Sequence, residues 1–484
     1  MIIHLQDYGR STKMKKSLFI FISFVLVLGI VLSGCSSKKE ETATSTMTPE
    51  ATAVATPVAT IDTKALEEEE AKKKQALADE KKNEKFTIRL GAWFVDERPH
   101  MVVFKQAIEK KFKELYPNAT IQWDVILGEP YFAKLQAQVA SNTAPDVFFM
   151  DPGLIKKYAE ANYLADVTDQ PYVATLNDGV KAVATWNGKI YGTATSLGSS
   201  GIWYNKKMFA DLGLKVPKTW SEFLDIGDKL NAAKITPMVL GFKDAWTIGL
   251  LIDNMVQSIG YSDNANFGQD LFDGKIKING PEIQSILLKL EDLTARKFFN
   301  KTALSIDWPQ SSQVFTQGKA AMIAQGGWMP GSAMENFTKD GTTPFDVGYF
   351  QVPTDNGNPV MSVDVSTGLV VNAKSKYMEQ SNALVSLILS PEILAPVAVG
   401  DGTIPAIKGV QVDYPLVGMK EMLGALNENK VAINFQKYLG NNVVDVLRQA
   451  TSKIVSGEKF NPKDLEEGQK ALDKQRSDGT LVQP

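Results

Sequence analysis

The chain has 484 residues, a net charge of −3, one cysteine and two histidines. A balance so near neutral sets up no field favouring nucleic acid, and one thiol with two imidazoles excludes, by count, disulfide frameworks and metal sites built on His and Cys clusters. His100 is the only imidazole beyond residue 4, so a Ser/His/Asp nucleophile would have to use that one ring, and Cys/His chemistry is excluded once the single thiol, Cys35, is taken up by lipid.

The first predicted element is a leader. Met14-Lys15-Lys16 gives a positive start, Leu18 to Leu32 is almost wholly apolar, and Leu32-Ser33-Gly34-Cys35 closes the run. A basic start, an apolar run of about 15 residues and small residues at a cleavage site describe a secretory signal. A membrane span usually needs about 20 apolar residues, so the run is short for an anchor. The end of the run resembles a bacterial lipobox, with the Cys35 thiol carrying diacylglycerol as the first mature residue. Residues 1–34 are then signal peptide, and translation starting at Met14 is equally compatible with the sequence.

Residues 35–85 read as a tether. The stretch 36–60 is rich in Thr, Ala, Ser and Pro and has almost no large apolar side chain, so it cannot offset the entropy of folding. Residues 64–85 carry Glu68/Lys72, Glu69/Lys73 and Glu70/Lys74 at i, i+4, which support a solvated helix. The expected role is reach, holding about 400 folding residues, enough for two domains, away from a membrane.

The folded body alternates strand and helix. Phe86 to Leu90 alternates as a strand ending at Gly91-Ala92-Trp93, and Val102, Phe104, Ile108 and Phe112 have helical spacing. Thr120–Ile126 is a second strand, Tyr131–Ser141 a helix with Phe132, Leu135 and Val139 inward, and Pro145–Met150 a buried strand, after which Asp151 caps a helix starting at Pro152. This order predicts an α/β body with a parallel sheet covered on both faces, whose ligands bind beyond the carboxyl ends of the strands. Asn187-Gly188 marks a hairpin turn, and Thr219 with Glu222 has capping-box spacing. The stretch from there to about Asn300 reads as helical. Ala320–Ala324 is a strand leading to Gly326-Gly327-Trp328, residues 345–372 return to strand character, and 376–400 and 416–475 are helical.

Several stretches then resemble a known family. They are Ala144-Pro-Asp-Val147, Gly188-Lys-Ile-Tyr-Gly192, Tyr204-Asn-Lys-Lys-Met-Phe209, Gly213 to Phe223, Phe315 to Met322 with Gly327-Trp328, Ser390-Pro-Glu392 and Gly402-Thr-Ile-Pro405. In this order they resemble the extracellular solute-binding proteins of ABC importers, in the sugar-binding branch akin to maltose-binding protein. The resemblance implies a two-lobed periplasmic-binding-protein-like fold with three inter-lobe crossings, expected near 195–201, 338–345 and 388–394, and a central ligand cleft. Lobe 1 is expected over 86–198 and 343–390, lobe 2 over 199–342 and 391–484. It also implies a monomer on the outer face of the cytoplasmic membrane, lipid-anchored as in Gram-positive relatives. The partners are a saccharide and ABC permease subunits, with no cofactor, metal or nucleic acid. Where many relatives carry a Gly-Gly pair, this chain has Ser362-Val-Asp-Val-Ser-Thr367, which brings Asp364 forward as a hydrogen-bonding group in the cleft.

A sugar presents apolar CH faces and a rim of hydroxyls, which call for aromatic planes and for carboxylates or amides. Trp328 after two glycines, Trp246 in the polar loop Lys243-Asp-Ala-Trp, Trp93 at a strand end and Trp308 are the aromatic candidates, each with core packing as the alternative. Gly327, Asp151, Glu129, Tyr131 and Asp364 complete the expected ligand contacts, Asp151 doubling as a helix cap. Trp123, Trp186, Trp203 and Trp220 read as structural. A saccharide receptor without catalysis is the expected function, probed against a lipoprotein glycosidase using cleft carboxylates and against the same receptor carrying a different solute.

Overall fold

In the computed structural model, residues 82–128 and 130–481 are described, and they fall within one compact unit. The leader, Cys35, the tether up to residue 81 and Glu129 lie outside the described residues.

The strands that build the two main sheets are, in chain order, β1 (Thr87–Ala92), β2 (Thr120–Val125), β3 (Val147–Met150), β4 (Thr193–Gly198), β5 (Ser200–Asn205), β6 (Thr236–Val239), β7 (Ala320–Gly326), β8 (Val347–Phe350), β9 (Asp364–Val371) and β10 (Ile404–Pro405). Six of them form one sheet in the order β10-β4-β9-β3-β1-β2, and four form a second in the order β8-β5-β7-β6. The expected parallel arrangement holds for β2, β1 and β3. It does not hold for the rest of the first sheet, because β9 runs antiparallel to both β3 and β4 and β10 antiparallel to β4.

Two helices set the first lobe. In α1 (Pro99–Leu115), Met101, Phe104, Ile108 and Phe112 are buried. The apolar stripe therefore begins one residue before the expected Val102. These side chains pack on Ile88 and Leu90 of β1 and on Leu384, Val385 and Ile388, and each contributes about 1.5–3 kcal/mol by burial, an upper estimate. In α2 (Pro130–Ala140) the buried residues are Tyr131, Leu135 and Val139, an i, i+4, i+8 row. The expected Phe132 stands beside that row and is only half-buried.

Five further helices position the site: α3 (Ala245–Met255), α4 (Trp308–Thr316), α5 (Met329–Asp340), α6 (Pro391–Asp401) and α7 (Asn441–Val455). Of these, α6 packs Ile393 and Leu394 into the core of the first lobe. The other four belong to the second, with Met329, Ala333 and Phe337 of α5 packed beside Trp203 and Phe315.

The chain passes between the sheets three times. It leaves the first sheet between Gly198 and Ser200, where β4 ends and β5 begins. The expected second crossing near 338–345 is displaced: β8 pairs with β5 in the second sheet, and the chain returns only at Asp364, the first residue of β9. The expected third crossing near 388–394 is displaced as well, since α6 stays in the first lobe, β10 still pairs with β4, and Tyr414 is the first buried residue of the second core. The lobe boundaries expected at 343, 390 and 391 move accordingly. Alternating apolar residues make a strand, but they do not say which sheet receives it.

Candidate functional site

Both lobes place aromatic rings beyond the carboxyl ends of their strands. In the first lobe Trp93 directly follows β1 and is half-buried, with ring centroids 5.1 Å from Phe132 and 5.8 Å from Tyr131. Tyr131 itself is a correction to the expected contacts. It is 3% exposed, and its hydroxyl donates to the Phe149 carbonyl at 2.7 Å, so it is a core residue supporting Trp93 from below. Asp151 is exposed and caps the turn after β3, its Oδ1 accepting from the Gly153 N–H at 2.8 Å.

In the second lobe three tryptophans meet. The Trp246 ring lies 5.9 Å from Trp328 and 6.4 Å from Trp308, edge to face in both pairs, and all three rings are half-buried. They come from three separate segments: the start of α3, the start of α4 and the turn after β7. Asp244 ties two of these together by accepting the Trp308 N–H at 2.8 Å, and Asp307 closes a capping box with Gln310. Residue types explain the third. A Cβ on Gly326 would lie 2.3 Å from the Trp328 ring, and one on Gly327 would lie 2.0 Å from the Gly402 carbonyl oxygen. Only glycine lets the ring fold back and the two backbones meet. Gly327 is therefore a close-packing residue, a correction to its expected place among the ligand contacts.

Beside Trp246 lies a cavity of about 200 Å³, lined by Ser200, Trp246, Gly249, Leu250, Asp253, Asn254, Gln257, Ser362, Asp364, Asn434, Gln436 and Arg448. Asp364 reaches it from the second crossing, its Oδ2 accepting from Asn434 Nδ2 at 2.8 Å and from Ser362 Oγ at 3.1 Å. Asp253 is buried, and an Arg448 Nη donates to its carboxylate at 2.9 Å. Burial pushes the Asp253 carboxyl upward, with Arg448 pulling the other way. Gln257, in a π-helical turn after α3, accepts the Phe435 N–H at 3.0 Å and donates to the Met361 carbonyl at 3.4 Å. It thereby fixes the 434–436 loop against the second crossing. The result is an aromatic wall beside a polar floor of amides, hydroxyls, two carboxylates and one guanidinium. Among the described residues no group of His, Cys, Asp or Glu is arranged to hold a metal ion.

The sequence profile of the bacterial extracellular solute-binding proteins matches residues 96–395. The chain belongs to that family. Among its relatives, the multiple sugar-binding protein of Streptococcus mutans is 25% identical over 346 residues, 69% of this chain and 79% of the relative. The diacetylchitobiose binding protein DasA of Streptomyces coelicolor is 26% identical over 317 residues, 63% of this chain and 71% of the relative. Among solved structures, a chitin oligosaccharide binding protein matches with a TM-score of 0.70 at 24% identity, covering 81% of this chain and 99% of its own. The protein RafE in complex with raffinose matches with a TM-score of 0.66 at 22% identity, over 81% of this chain and 100% of its own. This solute-binding protein is thus two-lobed, like its structural neighbours.

Of the residues expected from sequence, Trp246 and Asp364 line the same cavity, and Trp308 and Trp328 adjoin it through Trp246. Trp93 and Asp151 stand on the first lobe. Sequence reasoning missed Asp253, Gln257, Asn434 and Arg448. One signal was present for Asp253: a carboxylate inside the apolar run of α3, where a charge survives only when paired.

Proposed function

We propose that this solute-binding protein captures a saccharide in the cleft between its lobes and delivers it intact to an ABC permease. The observation that carries this reading is the joining of Trp246 to a floor of Asp253, Asn254, Asp364, Asn434 and Arg448 in one cavity. Aromatic faces suit the CH face of a pyranose, and bidentate donors and acceptors suit its hydroxyls. Trp308 and Trp328 extend the apolar surface beyond the cavity, which favours an oligosaccharide over a single ring. The cavity is smaller than the roughly 300–1,000 Å³ that encloses a drug-sized ligand, so it takes one terminal ring while the remainder lies along the tryptophans. Relatives named for multiple sugars and diacetylchitobiose, and a structural neighbour in complex with raffinose, support the same reading.

Closure about the three crossings brings Trp93 of the first lobe toward the bound sugar, a hinge motion that ligand contacts to both lobes would drive. The same reading anchors the chain by lipid at Cys35, on the outer face of the membrane, with the monomer as the working unit. Intact-mass analysis of the mature N-terminus tests the anchor: a diacylated Cys35 supports it, and an unmodified Cys35 or cleavage elsewhere overturns it. Titration with saccharides, followed by chromatography of the recovered sugar, tests the receptor. Saturable binding with unaltered sugar supports it, and turnover would favour a glycosidase.

A further inference from the structure

The two lobes also meet away from the cavity, along α1, α5 and α6. Here the backbones of α5 and α6 touch: a Cβ on Gly331 would lie 2.2 Å from the Gly400 carbonyl oxygen. His100 of α1 covers this point, its ring lying against Gly400. Its Nε2 is 2.9 Å from Asp401 Oδ1, and its Nδ1 is 3.3 Å from Glu335 Oε1. Asp401 belongs to α6 of the same lobe as His100. Glu335 belongs to α5 of the other lobe.

The charges around the ring are unevenly shared. Asp401 Oδ1 also receives Arg98 Nη1 at 3.1 Å, while Asp96 holds Arg98 Nε through both carboxylate oxygens at 2.8 Å. One oxygen of Asp401 thus serves two cations. Within the first lobe Asp96 and Asp401 only balance Arg98 and a protonated His100, and among the described residues it is Glu335, from across the junction, that faces the second imidazole N–H. Half-buried among these groups, the ring bridges two carboxylates on different bodies, a geometry that rewards the imidazolium, which donates from both nitrogens.

We propose that the His100–Glu335 contact is a proton-dependent latch that holds the lobes together at this edge and so governs opening of the cleft. The latch deepens the receptor reading, since it acts on the hinge motion of the same site, but it can be tested without any ligand. Although burial works against the charge, the hydrogen bonds to Asp401 and Glu335 outweigh it and raise His100 to about 9. Parting the lobes removes Glu335 and lowers that value toward the ordinary 6.5. Protons therefore favour the latched form. Its advantage is complete below the parted-state value and is lost as the pH climbs through about 9.

Two measurements on the full chain test this. The first is an NMR titration of His100, identified by its disappearance in H100Q. Glu335→Gln should lower the His100 midpoint by about one pH unit, and an unchanged midpoint would show that Glu335 is no partner in solution. The second is the distance between spin labels on K157C in the first lobe and K229C in the second, with Cys35 replaced by serine. That distance should lengthen in E335Q at pH 7, and in the otherwise unmutated chain between pH 7 and 10, while H100Q should show no such pH response. A lowered midpoint without any lengthening would overturn the latch and leave a local ion pair. A pH response that survives in H100Q would assign the motion to another group. His100 and Glu335 keep 16% and 29% of their side chains exposed, so both variants should fold, as a melting curve verifies. Failure of every saccharide to bind would strike the receptor reading and leave these distances to decide the latch alone.

Discussion

On the proposed reading, recognition turns on Trp246, because it is shared by the cavity and the tryptophan cluster. Trp246→Ala should weaken saccharide binding by about 2–4 kcal/mol, the scale of an aromatic hot spot. Its ring is half-buried, so the melting temperature should fall little. Calorimetry beside a melting curve reads both, and normal affinity with a large drop in melting temperature would make the ring a core element instead. Trp328 should behave differently. Its ring covers Gly326, and its indole Nε1 is buried with no acceptor among the described residues. Truncation there should cost affinity and stability together. Arg448→Ala leaves Asp253 buried and unpaired and should cost about 3 kcal/mol, the low end for a buried pair broken from one side, because Arg448 keeps 28% of its side chain exposed. Denaturant titration measures it, and a loss within experimental error would show that water replaces the guanidinium.

At the scale of elements, α2 gives the sharpest contrast between pattern and packing. Phe132 and Tyr131 are adjacent aromatics, and the pattern alone does not choose between them. Once Leu135 and Val139 face the core, helical geometry carries Tyr131 with them. Tyr131→Phe should therefore cost about 1 kcal/mol for the lost bond to the Phe149 carbonyl. It should leave saccharide affinity unchanged, and a binding defect with normal stability would return Tyr131 to the site. The capping box at Thr219 and Glu222 was legible because caps are local chemistry, and it is present in full. Sheet assignment was not legible in the same way. The segments of β8 and β9 both read as strands, yet one pairs with β5 and the other with β3 and β4. Pairing partners are set by long-range packing that no single segment encodes.

At the scale of the whole molecule, the two-lobed α/β architecture could be read from motif order, and the sequence placed Trp246, Trp308 and Trp328 among its candidates, which the fold brings together. The polar floor could not. Ser200, Asp253, Asp364, Asn434 and Arg448 lie far apart in sequence and converge only because α3, α7 and the second crossing pack around one cavity. Isolated amides and carboxylates in a chain so rich in them carry no signal of their own. The convergence in turn makes the central claim concrete, since a cavity with one aromatic wall and a hydroxyl-matching floor should hold a sugar end.

The most direct measurement is isothermal titration calorimetry of the full chain against raffinose, stachyose, diacetylchitobiose and longer chitin oligosaccharides, with the sugar recovered afterwards. The account predicts saturable binding of at least one of these at one site per chain, affinity that differs between diacetylchitobiose and longer chitin oligosaccharides, and sugar returned intact. A folded protein that binds none of them, or that returns cleaved sugar, would contradict it.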